Sequence, residues 1–368
     1  MTPRKHPAPA TRPDSGGHPP SATLAGTTDP AELAYALMQI DSTSGSETEI
    51  VEFTHDLLAA RGWQLRRIPV SPGRDDLLAF PDSGPVLTLS THLDTVPPFI
   101  PPRLNEAEGR LEGRGACDAK GIAAAMIVAA EKLRDEDMPV GLLLVVGEET
   151  THDGAHAANH AVKSGALPAT SRVLINGEPT QSQLARGTKG ALRFTLRTSG
   201  HAAHSAYPEL GVSATMALVK LLAELDELVL PAHEVLGATT INIGHLSGGV
   251  ADNVIAPWAE ARCMARLVTP ASDLLEILRD WLGDRAELTP GITVPPTLLG
   301  TVDGFATGVM AYATDIPALG AWGRPFLYGP GAIHVAHTDD EAVDLAELRE
   351  SVDAYAQLAR QALATWNG

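Results

Sequence analysis

Val86-Leu87-Thr88-Leu89-Ser90-Thr91-His92-Leu93-Asp94 is the stretch that decides how this chain is read. Its first five residues form a short apolar strand, and the far end delivers an imidazole and a carboxylate two residues apart. The same grammar recurs downstream. Leu142 to Val146 is an apolar run ending at Glu148-Glu149, and Val173-Leu174-Ile175-Asn176 runs into Gly177-Glu178-Pro179-Thr180. Between these runs lies an Ala-rich helical stretch, Ala119 to Leu133. Upstream, Asp29-Pro30 reads as a helix cap with proline at the first helical position, and residues 31–40 and 47–61 have helical periodicity. Strands alternating with helices predict an α/β fold, with a mainly parallel sheet covered on both faces. In such sheets, sites gather beyond the carboxyl ends of the strands, where these acidic and imidazole side chains fall.

With 368 residues, the chain is expected to form two domains. The texture changes near Gly187. Residues 191–198 alternate like a half-exposed strand and 212–230 read as a long helix. Residues 239–244 and 259–268 read as strands and 273–282 as a helix. The parallel-sheet style resumes near Thr297, where Phe326-Leu327-Tyr328 leads to Gly329-Pro330-Gly331 and His337, and 341–366 reads as a closing helix. The expected organisation is therefore a discontinuous catalytic domain, 29–186 and 297–368, with a smaller α+β block inserted at 187–296. Residues 1–28 are rich in Pro, Gly, Ser, Thr and basic residues and lack the apolar centre of a secretory signal, so a disordered tail is expected.

A net charge of −18 argues against nucleic acid or anionic membranes as partners. Cys117 and Cys263 provide neither a disulfide framework nor a CxxC knuckle, which fits a reducing cytoplasm. No apolar run reaches the roughly 18 residues that a membrane span needs.

Two histidines, His92 and His337, with the carboxylates Asp118, Glu149 and Glu178, suit a pair of divalent cations. Imidazole and carboxylate ligation favours Zn2+, with Co2+ or Mn2+ as substitutes. Asp94 is placed to hold the far ring nitrogen of His92. Asp118 follows a Gly-rich turn that leaves both its oxygens free to bridge. Glu148 and Glu149 are neighbours in extended chain, so their side chains point apart: one can bind metal while the other faces the bound water. Three ligand carboxylates bring −3 against +4, and a bridging hydroxide would make the site neutral. Two cations about 3.5–4 Å apart generate such a hydroxide near neutral pH, and Glu148 would carry its proton to a leaving amine.

Five ordered motifs carry a family resemblance: residues 90–97 (Ser-Thr-His-Leu-Asp-Thr-Val-Pro), residues 113–121 (Gly-Arg-Gly-Ala-Cys-Asp-Ala-Lys-Gly), Glu148-Glu149, Gly177-Glu178-Pro179-Thr180 and Ala336-His337. From about residue 29 to 366 the chain resembles the di-zinc amidohydrolases, a family that includes acetylornithine deacetylase, succinyl-diaminopimelate desuccinylase, aminoacylase and glutamate carboxypeptidases. The resemblance implies that Asp118 bridges two metals, that His92 and Glu178 complete one, and that Glu149 and His337 complete the other. It selects His337 over His334, makes Glu148 the general base and implies a cis peptide at Asp118-Ala119. It further implies a homodimer through the inserted block. His204, in Gly200-His201-Ala202-Ala203-His204-Ser205, would reach a partner's site to stabilise the oxyanion. Asn253 would help hold the substrate backbone, Arg266 would hold the substrate carboxylate, and Gly331 lies in the loop before the last ligand.

The activity expected first is deacylation of a small N-acyl amino acid, as by acetylornithine deacetylase. A dipeptidase, carboxypeptidase or desuccinylase on the same scaffold is the alternative, because specificity sits in the pocket lining outside the motifs. A binding relative without turnover is the non-enzymatic alternative, and intact Glu148 speaks against it.

Overall fold

The computed structural model describes residues 21–365. Its central sheet has six strands in the order Gln64–Ser71, Arg74–Phe80, Val140–Val145, Leu87–His92, Val173–Asn176 and Arg324–Leu327. The last four run parallel, while the first two form an antiparallel hairpin added at one edge. That hairpin is absent from the sequence reading. Its charged residues, Arg66, Arg67, Arg74, Asp75 and Asp76, break the apolar pattern that marks the inner strands.

Alternation along the strands explains why both faces are covered. Leu77, Leu142, Leu144 and Ile175 point into one core with helices α1 (Pro30–Met38), α2 (Thr48–Ala60), α3 (Lys120–Asp135) and α7 (Leu345–Ala364). Leu78, Leu143, Val145 and Leu174 point into a second core under α4 (Asp153–Lys163) and Trp322. Helix α3 is buried almost all round from Lys120 to Ala130, and its many alanines let α1 and α7 approach closely. Helix α1 starts as expected: Asp29 accepts from the Ala31 amide at 3.1 Å, with Pro30 at the first position.

Between Val173–Asn176 and its sheet neighbour Arg324–Leu327, the chain builds a separate four-stranded antiparallel sheet. The order is Thr240–Gly248, Trp258–Leu267, Gly190–Ser199, Glu287–Val294. One face packs on α5 (Ala214–Ala223) and α6 (Ala271–Leu282) through Leu192, Phe194, Leu196, Leu218 and Leu278. This arrangement matches the α/β architecture with an inserted α+β unit.

Some element bounds differ from those expected. The long helix over 212–230 is shorter: Ser213 caps α5 by accepting from the Met216 amide, and the helix ends at Ala223 before a 3-10 turn at Leu225–Glu227. The closing helix begins at Leu345 rather than 341. Ala342–Asp344 is instead drawn into a strand against Arg110–Glu112, and Asp344 caps α7. Of the expected tail, residues 1–20 lie outside the described residues. Residues 21–28 are attached to the fold: Ser21–Leu24 is a 3-10 turn, and Arg61 donates to the Leu24 and Thr27 carbonyls. Among the described residues no helix is long and apolar enough to cross a membrane.

Candidate active site

Every strand of the parallel set ends at the same rim, and there the loops carry the acidic and imidazole groups. The loop entering α3 is shaped by a buried carboxylate that the sequence reading gave no role. Glu341 accepts from the main-chain amides of Gly115 (2.9 Å), Cys117 (3.3 Å) and Asp118 (3.2 Å) and from the Arg114 guanidinium (2.6 Å). One side chain thus satisfies three turn amides and pairs with one cation out of water, fixing the backbone from which Asp118 projects. Gly121 follows because the start of α3 lies against the Ala116 carbonyl, which a Cβ would meet at 2.1 Å. The Asp118-Ala119 peptide is cis, as the resemblance implied.

A second buried carboxylate organises the glutamate pair. Asp94 accepts from the Glu148 and Glu149 amides at 3.1 and 3.2 Å and from the Ser44 hydroxyl at 2.7 Å. This alters the expected role of Asp94 toward His92. The nearest partner of His92 Nδ1 is the Asp94 main-chain oxygen at 2.9 Å, while the carboxylate stands at 3.5 Å because its lone pairs serve the Glu148-Glu149 turn.

The five proposed ligands converge. Asp118 presents Oδ1 to His92 Nε2 at 3.1 Å and Oδ2 to His337 Nε2 at 3.2 Å. His337 Nε2 also lies 2.9 Å from Glu149 Oε2. Two groups of potential donors result, His92 with Asp118 and Glu178, and Asp118 with Glu149 and His337, each with its atoms within 4.8 Å of one another. Asp118 is common to both. His334, the near neighbour that spacing alone could have chosen, is exposed and belongs to neither.

Electrostatics test whether divalent cations fit here. Burial, reinforced by the carboxylates of Asp118 and Glu149, pushes Glu178 well above the usual range, and its Oε1 has no hydrogen-bond partner among the described residues. Burial also raises Glu149, against the pull of His337. Asp118 is buried too, yet hydrogen bonds from His337 and His92 hold it below the usual range. Hydrogen bonds to Asp118 and Glu149 lift His337 to about 10. Clustered buried carboxylates need positive charge to offset them, and buried acids with an orphaned oxygen and two imidazoles form a donor set that divalent cations fit.

Glu148 lies beside both groups. Burial, then the Glu178 carboxylate, raises its pKa well above the ordinary glutamate range. Next to it His152, in the left-handed conformation at φ 54°, turns Nδ1 to Asp315 at 2.8 Å and to Glu148 Oε1 at 3.7 Å. Asp315 is fully buried and 163 residues away in sequence, so no local pattern could have revealed this pair.

A cleft of about 200 Å³ opens over these groups. The inserted sheet contributes Arg193, Met264, Arg266 and Ile292 to its wall, and Tyr312, whose hydroxyl donates to the Pro179 carbonyl at 3.0 Å, contributes another part. Arg266 thus lines this cleft. His204 does not reach the cleft of its own chain: it is exposed, with Nδ1 accepting from the Ala206 amide. Asn253 is exposed in the same block, its carbonyl accepting from the Ser205 amide. Gly331 lies outside the cleft wall. Its φ of 82° and a position where a Cβ would fall 2.5 Å from Cys117 Cβ give it a packing role under the Asp118 turn.

A rim of shared carboxylates and imidazoles on a parallel sheet, with an inserted sheet closing the cleft, defines a metal-dependent hydrolase. Residues 88–361 match the model of peptidase family M20/M25/M40, and the chain belongs to that family. It is 38% identical over 374 residues to a probable carboxypeptidase of Aspergillus fumigatus, spanning 89% of this chain and 85% of that one. Its fold is similar to a tripeptidase from Staphylococcus aureus, with a TM-score of 0.76 at 20% identity over 90% of this chain and 98% of that one. It is also similar to a dinuclear metal-binding peptidase of family M20 from Bacillus subtilis, with a TM-score of 0.67 at 15% identity over 94% and 99% of the two chains. The carboxypeptidase relative favours the peptidase alternative over the deacylase expected first.

Proposed function

We propose that this chain is a two-metal carboxypeptidase or dipeptidase, which releases the C-terminal residue of a short peptide. The observation that carries the reading is Asp118, whose two oxygens face the two donor groups, with Glu148 alongside and outside both. The resemblance to a probable carboxypeptidase over most of both chains supports peptide as the substrate class. In this reading His92, Asp118 and Glu178 hold one cation and Asp118, Glu149 and His337 the other, with zinc the first choice for imidazole and carboxylate donors.

When bound, the cations supply a water acidified to near neutral pH and a Lewis acid for the scissile carbonyl. Glu148 accepts a proton from the attacking water as the carbon–oxygen bond forms. It then returns that proton to the amine nitrogen as the carbon–nitrogen bond breaks, leaving a carboxylic acid and a free amine. Asp94, by accepting from both amides of the Glu148-Glu149 turn, keeps one carboxylate on the donor groups and the other on the water. His152, held by Asp315, restricts the Glu148 carboxylate from behind. Arg266 receives the substrate carboxylate, for which a guanidinium is a suited partner.

Residues 187–296 act as an assembly domain in this reading. Support comes from the edge strand Thr240–Gly248, with exposed Leu246, and from α5, whose Met216 and Val219 lie exposed three residues apart. A homodimer through this face would allow His204 to serve the partner's cleft. Two free buried cysteines support a reducing, cytoplasmic setting.

The test is a panel of dipeptides, N-acetyl and N-succinyl amino acids given to chelated protein with and without added zinc or cobalt. Metal-dependent release of amino acid from dipeptides, lost in Glu148→Gln, is the expected result. Preferential hydrolysis of N-acyl amino acids would return the deacylase reading, and an unchanged rate in Glu148→Gln would sink the mechanism. For the dimer, mixed His204→Ala and Glu148→Ala proteins should regain activity. No rescue despite confirmed subunit exchange would remove His204 from the partner's site.

A further inference from the structure

Two guanidiniums, not one, enter the cleft. Arg193 and Arg266 both line it, from neighbouring strands of the inserted sheet: Arg266 pairs with Ala191 and Met264 with Arg193, which makes the arginines diagonal neighbours on one face. The opposite face of these strands, Leu192, Phe194, Cys263 and Ala265, is packed on the helices, so both arginine side chains are directed to the open side. Diagonal like charges repel, and the proximity registers at Arg266: burial, then the Arg193 charge, lowers its affinity for its proton. No ion pair relieves either side chain among the described residues.

One substrate carboxylate, held by Arg266, leaves the exposed Arg193 beside it free to receive a second.

We infer that Arg193 is a specificity-determining residue that receives a second carboxylate, so that the residue released is acidic, of aspartate or glutamate type. This rests on the peptidase reading. A neutral aliphatic residue would instead use the Met264, Ile292 and Val294 wall and leave Arg193 unused.

Metal-loaded enzyme should hydrolyse Ala-Glu at least about tenfold more efficiently, in kcat/KM, than Ala-Gln, since the two side chains differ in charge and hardly in size. Arg193→Gln should abolish that ratio by lowering Ala-Glu hydrolysis far more than Ala-Gln hydrolysis, and Arg193→Lys should restore part of it. Equal or reversed preference in the wild type, or an equal loss on both peptides in Arg193→Gln, overturns the inference. Calorimetric binding of free glutamate and glutamine to the metal-loaded protein separates the two claims. Tighter glutamate binding that depends on Arg193, without turnover of any peptide, upholds the subsite and defeats the peptidase reading. Turnover with no glutamate preference in either assay defeats the subsite alone.

Discussion

The central sheet and the inserted four-stranded sheet of this molecule handle charge and exposure in opposite ways. In the parallel sheet every residue of Leu87–His92 and Val140–Val145 is buried, and each carboxylate at the rim has a partner or a cation-ready neighbour. Arg114 meets Glu341 with both side chains out of water, and Arg74 bridges Glu47 and Asp153 behind the glutamate turn. In the inserted unit the edge strand is mostly exposed, Arg193 and Arg266 have no ion-pair partner among the described residues, and ion pairs such as Arg285–Glu224 lie in solvent. The first region is built so that groups cannot move, which chemistry on a scissile bond requires. The second buries its apolar face on α5 and α6 and keeps its polar face and edge strand open.

The sharpest break of this comparison is at Glu148. Glu148→Gln should lower kcat by roughly 10²–10⁴, the usual worth of a general base, while metal content by elemental analysis stays at the wild-type level. Loss of metal instead would place Glu148 among the ligands.

Next comes the contrast between the two ion pairs. Arg114→Met leaves Glu341 buried without its cation and should cost about 3–5 kcal/mol in urea denaturation, with looser metal binding through the Asp118 turn. Arg285→Ala, in the inserted block, should leave the melting temperature indistinguishable from wild type. Equal effects would erase the distinction between the regions.

A third test concerns Asp76, which accepts from the Val146 amide at 3.1 Å and whose other oxygen has no partner among the described residues. Burial, reinforced by Asp315 and Asp153, holds its carboxyl well above the usual range. An acid whose affinity for its proton rises on folding stabilises the native state fully below its unfolded value near pH 4, and that contribution is lost as pH climbs through the folded value. The stability of Asp76→Asn relative to wild type should therefore increase from pH 4 to pH 8. A difference independent of pH would mean that Asp76 is already ionised.

The smallest effect on stability is expected from Met216→Glu with Leu246→Glu. Both side chains are exposed, so folding should change by about 0.5 kcal/mol or less. Sedimentation should nevertheless show a shift from dimer to monomer if the inserted sheet is the assembly face; an unchanged sedimentation coefficient would place assembly elsewhere.

Short apolar runs ending in acids and histidines were enough to predict a parallel sheet with its chemistry at one rim, because a buried strand has to be apolar and a buried carboxylate has to have a purpose. The family resemblance added the pairing of ligands and the choice of His337 over His334. Local signals were weaker where charge interrupts the pattern. The hairpin Gln64–Phe80 went unread, and the apolar stretch after Ser213 looked like one long helix although α5 stops at Ala223.

What the sequence by itself determined is which acidic and imidazole groups gather at the rim, since that depends on residue type and on the strand that delivers them. What only the tertiary structure decided is how they are held: Glu341 under Asp118 from 223 residues away, Asp94 under the Glu148-Glu149 turn, Asp315 behind His152, and Arg193 beside Arg266 on an inserted sheet. Such contacts join residues with no fixed spacing, chosen by geometry after the chain has folded, and so they leave no periodic trace in the sequence.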